Sequence, residues 1–231
     1  MNSLFVTSSG TDIGKTFLCC RLIAAVAGQR TIRCIKPVVT GFEPDDAAAS
    51  DTGHLLAAQG IGVDTNTIAA TSPWRFRAAL SADMAAAREK RSISFDELIE
   101  FSRPPPGIDL NLIEGIGGVM APLDHEHTVL DWISALDAPA LLVVGSYLGS
   151  LSHTLTALHA LNARQISLAA IVISQSIEEP VPTAETAASL KHFCGRVPIA
   201  ILPRSPNADA AELAALLDRF FAFPEKRPPA A

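Results

Sequence analysis

The tripeptide Gly14-Lys15-Thr16 constrains the fold of this chain more than any other feature of its sequence. It follows the apolar run 4–7, which reads as a buried strand, and it opens a helical pattern over residues 15–27. In such a loop, backbone N–H groups and the positive helix end hold phosphates, the lysine adds charge and the threonine hydroxyl can ligate Mg²⁺. The strict pattern has glycine where Ser9 stands. We therefore expect a phosphate-binding loop here, the alternative being a strand-helix turn without a ligand.

Short apolar runs alternate with helical patterns along the rest of the chain. Continuous apolar strands fit a sheet covered on both faces, and the alternation predicts a mostly parallel, doubly wound sheet. We therefore expect an α/β fold of the P-loop NTPase type, as a single domain over residues 1–223 with a frayed tail at 224–231. The predicted strands are 4–7, 31–35, 110–113, 140–144, 168–173 and 199–202, and the predicted helices are 15–27, 50–59, 150–162, 183–192 and 209–221.

Composition narrows the classes of protein that remain. Hydrophobic residues make up 48% of the chain and charged residues 18%, which suits a large core. The net charge of -6 argues against nucleic-acid binding, which needs a dense positive face. The four cysteines form no C-x-x-C pair, and we find neither a signal-peptide pattern nor an apolar run of about 18 residues. We expect a soluble cytoplasmic protein without a nucleic-acid or membrane partner.

Charged side chains follow the predicted strands, where ligands of doubly wound sheets bind. Lys36 comes directly after the second strand, and Glu114 follows the strand 110–113. A buried carboxylate is costly unless it is paired or binds a cation, so Glu114 is a candidate Mg²⁺ ligand opposite Thr16. Asp51 begins a helical pattern and is either a first-turn acid or a partner of the same cation. The alternatives are a solvated surface charge for Lys36 and an incidental acid in a turn for Glu114.

Three further patterns remain open. The loop from Gly145 to Gly149 opens a helix, and such a helix start can bind a substrate carboxylate or be capped by its own serines. His125 and His127 are one residue apart in a predicted loop, which favours exposed histidines over a metal site. Trp74 and Phe76, predicted in a loop, either pack against the core or cover an alkyl chain.

Five blocks together resemble the dethiobiotin synthetases, and the resemblance extends over residues 5–204. The Glu-Gly-x-Gly-Gly and Lys-Pro-Val elements do most to distinguish this family from other proteins that have a phosphate-binding loop. The blocks are GTDIGKT, IKPVVTG, SD at 50–51, IEGIGGVMAPL and LLVVGSYLGSLSHTL.

The resemblance implies a ligase that forms C–N bonds in biotin biosynthesis, with Mg²⁺ as cofactor and ATP as co-substrate. Members of this family make dethiobiotin from 7,8-diaminopelargonic acid, CO₂ and ATP. One amine captures CO₂ as a carbamate, a carbamate oxygen attacks the γ-phosphate, and the second amine closes the ring on the resulting anhydride. The family also implies a homodimer in which the substrate carboxylate binds at the interface.

The resemblance also implies roles for individual residues. Lys15 and Lys36 would be catalytic. The metal would be held by Thr16, Asp51 and Glu114. The substrate would be bound by Thr40, Gly149, Ser150, Leu151 and Ser152. The nucleotide and metal would be bound by Asp12, Ile13, Gly14, Lys15, Thr16, Asp51, Glu114, Gly115, Ile116, Gly117, Ser174, Gln175, Pro203, Arg204 and Ser205.

Some positions depart from the family pattern. Relatives usually have glycine where Ser8 stands, and many carry Asn-Asp where this chain has Ser174-Gln175, at the place where adenine is recognised. The Ser-Pro-His segment of some relatives is Ser81-Ala82-Asp83 here.

Two other functions are compatible with the phosphate-binding loop. A partition or cell-division switch ATPase would carry a second lysine near the start of the loop, and residues 7–12 contain none. An amidotransferase-type synthetase would need a glutaminase partner or a nucleophilic cysteine, and none of the four cysteines has such a setting.

Overall fold

A computed structural model describes residues 2–204 of the chain. The strands are β1 (Ser3–Ser8), β2 (Ile32–Ile35), β3 (Val38–Thr40), β4 (Trp74–Phe76), β5 (Leu110–Glu114), β6 (Ala140–Gly145), β7 (Leu168–Ser174) and β8 (Ile199–Leu202). The helices are α1 (Lys15–Val26), α2 (Asp51–Ala58), α3 (Thr65–Thr71), α4 (Ala82–Arg88), α5 (Phe95–Ser102), α6 (Val129–Leu136), α7 (Ser150–Ala163) and α8 (Thr183–Lys191), with a kinked 3₁₀ segment at Pro44–Ala49.

Six strands form one sheet in the order β2-β5-β1-β6-β7-β8, and every neighbouring pair is parallel. The predicted α/β fold with a parallel sheet is therefore confirmed. The central strand β1 lies between β5 and β6, with Val6 opposite Glu114 on one side and Leu141 on the other. The loops after β1, β2 and β5 consequently leave the sheet at the same edge, which is where ligands bind in folds of this type.

Both faces of the sheet are buried, because alternate residues of each strand enter separate apolar clusters. In β1, Leu4 and Val6 pack with Leu18 and Leu22 of α1 on one face. Phe5 points to the other face, into the cluster that contains residues of α6, α7 and α8. No helix within residues 2–204 is long and apolar enough to cross a membrane.

The predicted long elements agree with the structure to within one or two residues at each end, apart from the helix predicted at 209–221, which lies outside the described residues together with the tail 224–231. The prediction of a single domain over 1–223 stays a prediction. Several short elements were missed. Trp74 and Phe76 lie in β4, which pairs in parallel with β3, and not in a loop. Their packing interpretation is supported, because Phe76 is buried and Trp74 meets Phe101 edge to face.

The indole of Trp132 anchors α6 on the sheet. It meets the ring of Phe5 edge to face at 4.8 Å between centroids, and its Nε1–H donates to Ser102 Oγ at 3.1 Å. Trp132 and Phe5 are both fully buried. Through these two contacts the side chain joins β1, which precedes the phosphate-binding loop, to α5 and α6.

Replacing Trp132 with alanine is expected to destabilise the fold by about 3–5 kcal/mol, because it leaves a cavity and removes the aromatic contact. Urea denaturation would measure the loss. Phe193→Ala is the matched control, since this ring is 64% exposed and its loss should change the free energy of unfolding by about 0.5 kcal/mol or less. Similar losses in the two variants would contradict the anchoring role of Trp132.

Candidate active site

The phosphate-binding loop runs from the end of β1 to the start of α1. Gly14, just before α1, has a φ of 97°, a left-handed conformation that favours glycine. A Cβ at this position would also lie 2.5 Å from Ser174 Oγ, so a side chain would collide with the end of β7. Asp12 also has a positive φ, 57°. This backbone turns the loop over the N-terminus of α1, where unpaired N–H groups can hold phosphate oxygens.

Lys15 is buried against the loop that it belongs to, with only 6% of its surface exposed. Its ammonium donates to Ser8 Oγ at 3.1 Å, to the Gly10 carbonyl at 3.3 Å and to the Gly117 carbonyl at 2.9 Å. Burial, and secondly the charge of Lys36, lowers the pKa of Lys15 to about 8. The Lys15 ammonium is therefore placed where a bound anion would stabilise its charge.

Ser8 is a site residue that the motif did not predict. Its hydroxyl is fully buried and lies 2.5 Å from the Gly10 carbonyl and 2.9 Å from the Gly117 carbonyl, so it can donate to either. It also accepts from Lys15. The side chain therefore links the phosphate-binding loop to the loop after β5.

Lys36 and Glu114 form the buried electrostatic centre of the site. The Lys36 ammonium donates to Glu114 Oε1 at 2.8 Å and to Asp51 Oδ2, and it is only 6% exposed. The surface-charge interpretation of Lys36 is therefore wrong. Burial opposes the charged form, but the Glu114 and Asp51 carboxylates outweigh it and raise the pKa of Lys36. Asp51 is likewise partly buried, yet the Lys36 ammonium keeps its pKa below the usual range.

Three side chains beside Lys36, those of Thr16, Asp51 and Glu114, carry oxygen atoms that can ligate a hard divalent cation. Thr16 Oγ1 donates to Glu114 Oε1 at 2.7 Å, and Asp51 lies in the first turn of α2, where Ser50 is the N-cap. Glu114 is fully buried, and within residues 2–204 its Oε2 atom has no hydrogen-bond partner. A buried carboxylate oxygen without a donor is costly unless a cation meets it. Mg²⁺ is often bound by one or two carboxylates together with substrate phosphates, so this small donor set suits it.

One cavity of about 350 Å³ collects most of the residues that the sequence singled out. Gly115 lies just outside it, where a Cβ would meet the Phe5 ring at 2.8 Å, so this glycine permits close packing on β1. The cavity is lined by Thr11, Asp12, Ile13, Gly14, Lys15, Thr16, Lys36, Val39, Thr40, Asp51, Glu114, Ile116 and Gly117.

A second cavity, of about 420 Å³, opens on the other side of β1 and shares residues 12–14 with the first. Ser174, Gln175 and Arg204 line it, together with Phe17 and other side chains. Pro203 is next to Arg204 just after β8, and Ser205 lies outside the described residues. The structure therefore brings most of the predicted nucleotide-binding residues to two connected cavities, and their roles stay predictions.

The start of α7 is separate from the cavity that contains Lys36. Residues 149–152 do not line that cavity, and Leu151 is 38% exposed. Gly149 is the N-cap with a φ of 95°, and no serine side chain caps the helix. Nearby, Tyr147 Oη lies 2.8 Å from His153 Nδ1, and both side chains line a third cavity of about 620 Å³. The motifs did not predict this pair.

The parallel sheet carries a phosphate-binding loop next to two carboxylates, those of Asp51 and Glu114. This combination defines the protein as one of the P-loop NTPase class. A family model described as "AAA domain" matches residues 2–212. The chain is 45% identical to the ATP-dependent dethiobiotin synthetase of Acidiphilium cryptum over 86% of its own length and 91% of the relative's. It is 44% identical to that of Phenylobacterium zucineum, with 90% and 91% covered. The chain belongs to the ATP-dependent dethiobiotin synthetase family.

Solved structures support the fold alone. The hydrogenase maturation factor HypB of Archaeoglobus fulgidus has a TM-score of 0.57 at 15% identity, with 95% of this chain and 89% of that chain covered. A chain of the MinC:MinD cell division protein complex of Aquifex aeolicus also has a TM-score of 0.57, at 12% identity, with 98% and 99% covered. At such low identity, this likeness to a cell division protein does not favour the switch-ATPase alternative over the synthetase family.

The affinity for MgATP is expected to fall as the pH rises above about 8, because the pKa of Lys15 lies there. Only the ammonium attracts phosphate, so affinity should be level below this pH and weaken by up to about tenfold per pH unit above it. Calorimetric titration would measure the dissociation constant. Lys15→Arg, which stays charged, should remove this pH dependence. A wild-type affinity that stays level to well above pH 8 would contradict the assignment.

Proposed function

We propose that this chain makes dethiobiotin from 7,8-diaminopelargonic acid, CO₂ and ATP, as a ligase of biotin biosynthesis. One observation carries the proposal: Lys15 and Thr16 after β1, Lys36 after β2 and Glu114 at the end of β5 converge on one cavity. The identity of 44–45% to several ATP-dependent dethiobiotin synthetases supports the same activity. A switch ATPase would carry its second lysine near the start of the loop, where residues 7–12 contain none, whereas here the second buried lysine follows β2.

The first steps join two anions. An amine of the substrate adds to CO₂ and loses a proton, which gives a carbamate, and a carbamate oxygen then attacks the γ-phosphorus of ATP and displaces ADP. Carbamate and triphosphate repel each other, so the reaction needs positive charge fixed between them. Lys15 and Lys36, each only 6% exposed, supply that charge from buried positions, where it is more effective than in water.

Mg²⁺ fits the donor set of Thr16, Asp51 and Glu114. These three residues would hold the ion, which would supply neutralisation of the negative charge of the phosphates. The Lys36 ammonium pairs with both acids. The same two carboxylates therefore hold Lys36 at the edge of the phosphate site and are available to a cation.

Ring closure depends more on the orientation of the second amine toward the anhydride than on additional positive charge. The second amine attacks the carbonyl carbon of the carbamic-phosphoric anhydride, phosphate leaves, and the nitrogen loses a proton as the cyclic urea forms. Thr40 lines the cavity at the end of β3, and its hydroxyl can accept from or donate to the reacting groups. We assign it to the diamine end of the substrate.

The carboxylate end of the substrate is assigned to the start of α7 in a second copy of the chain. Residues 149–152 carry the helix N-terminus that suits a carboxylate, but they do not line the Lys36 cavity of their own chain. A two-fold homodimer would resolve this, since a symmetric interface can bring α7 of one protomer to the site of its partner.

Four free thiols and the use of ATP favour a cytoplasmic location.

Incubation of the purified protein with MgATP, bicarbonate and 7,8-diaminopelargonic acid is expected to give dethiobiotin, detected by mass spectrometry, only when all three are present. Lys36→Ala should lower product formation by about 10²–10³-fold, because the charge beside the transferred phosphoryl group is lost. Circular dichroism would verify that the variant is folded. Near-normal turnover by Lys36→Ala would contradict its role, and a wild type that forms no product would contradict the function.

Mixing two defective variants tests the shared site. Leu151→Pro removes one N–H in the first turn of α7, where such groups have no partner within the helix, and should weaken substrate binding. When Lys36→Ala and Leu151→Pro protomers exchange in equal amounts, one site in each mixed dimer is intact, so activity should recover to about a quarter of the wild-type value. Activity that stays at the level of the separate variants would exclude a site shared between protomers.

A further inference from the structure

Glu179 is held by hydrogen bonds from three parts of the chain. Its Oε1 accepts from Ser146 Oγ, just after β6, at 2.8 Å and from Thr183 Oγ1 at the start of α8. Its Oε2 accepts from Gln175 Nε2 at 2.7 Å. The hydrogen bonds from Gln175, Thr183 and Ser146 hold the pKa of Glu179 below its usual value, so the carboxylate is ionised near neutral pH.

This carboxylate fixes the orientation of the Gln175 amide. On the opposite side, the Arg204 backbone N–H donates to Gln175 Oε1 at 3.2 Å. An ionised carboxylate can only accept and a backbone N–H can only donate, so the amide cannot exchange its two ends without losing both bonds. One amide N–H and one lone pair on the amide oxygen then remain for a ligand.

The cavity beside Gln175 is where the nucleoside of a bound nucleotide must lie. The terminal phosphate belongs near Lys15 and Glu114, on the side of β1 where β5 and β2 lie. The cavity of about 420 Å³ begins at the same loop, at residues 12–14, and extends toward β7 on the other side. Ile13 and Phe17 provide apolar surface there for a planar base.

A fixed amide distinguishes two classes of base by the order of the hydrogen-bond donor and acceptor on the base. Adenine and cytosine present an exocyclic amino donor next to a ring-nitrogen acceptor. Hypoxanthine, guanine and uracil present an exocyclic keto acceptor next to a ring N–H donor, which is the reverse order. A freely rotating amide can match either order by turning over, whereas a fixed one matches only one.

We propose that Glu179 is a positioning residue that locks the Gln175 amide, so that the site selects nucleotides with an exocyclic amino group over their keto counterparts. This inference rests on the proposed function for the use of ATP. Glu179 itself need not touch the nucleotide, since it acts through Gln175.

The test compares ATP with ITP, which differ at the 6-amino or 6-keto group of the purine. Displacement of a fluorescent ATP analogue from the Mg²⁺-containing protein gives both dissociation constants without the need for turnover. The wild type should bind ATP at least about tenfold more tightly than ITP. In Glu179→Gln the new amide can donate as well as accept, so Gln175 can turn over and the ratio should fall below about threefold.

Two further variants separate positioning from a general structural effect. Gln175→Met should lower the ratio in the same way, and adding Glu179→Gln to it should have no further effect. Glu185→Gln, which removes an exposed acid from the first turn of α8, is the charge-matched control and should keep the wild-type ratio. In dethiobiotin formation, Glu179→Gln should raise KM for ATP and leave kcat within about twofold, because the reacting groups are unchanged.

The outcomes distinguish this inference from the function on which it rests. A wild-type ratio near one, or an unchanged ratio in Glu179→Gln while dethiobiotin is still formed, would overturn the role of Glu179 alone. A further effect of Glu179→Gln in the Gln175→Met background would also overturn it. Selective binding of ATP by a wild type that forms no dethiobiotin would contradict the proposed function and leave the base selectivity in place.

Discussion

The buried ion pair between Lys36 and Glu114 is the interaction on which the rest of the site depends. Removing two charges from water costs several kcal/mol per ion, and such a pair is rarely a net source of stability. Its geometry therefore points to function. Among residues 2–204, Glu114 pairs with Lys36 beside the phosphate-binding loop, accepts from Thr16 and keeps a second oxygen without a donor. If Lys36 is removed, the buried Glu114 carboxylate loses its partner ammonium, whereas loss of Glu114 leaves Lys36 paired with Asp51 alone.

The parallel sheet makes this pair possible. Because β5 lies between β2 and β1, the residues that follow these strands meet at one edge although they are far apart in sequence. The buried strands fix this edge through apolar packing on both faces, so the charged groups are held by a rigid frame. The two cavities lie on opposite sides of β1, and residues 12–14 of the phosphate-binding loop line both.

Local sequence predicted the phosphate-binding loop, the long strands and helices, and Glu114, because each depends on neighbouring residues or on the end of a strongly apolar run. The partners of Lys36 could not be predicted in this way, since they depend on the order of strands. Glu179 was missed for the same reason: its donors Ser146 and Thr183 belong to other elements. The short helices were missed although α6 has a capping box at Thr128 and Asp131, which was a usable local signal.

The contact between Gly14 and Ser174 has a consequence for how such a site can evolve. A Cβ at position 14 would meet Ser174 Oγ at 2.5 Å, so the phosphate-binding loop and the end of β7 already touch. The cavity proposed for the nucleoside is therefore bounded by the same backbone that is expected to hold the phosphates. A bulkier residue at position 174 cannot simply reshape the base pocket, because it would push on the loop. A change in nucleotide preference must come from residues further along, such as Gln175 and the groups that orient it.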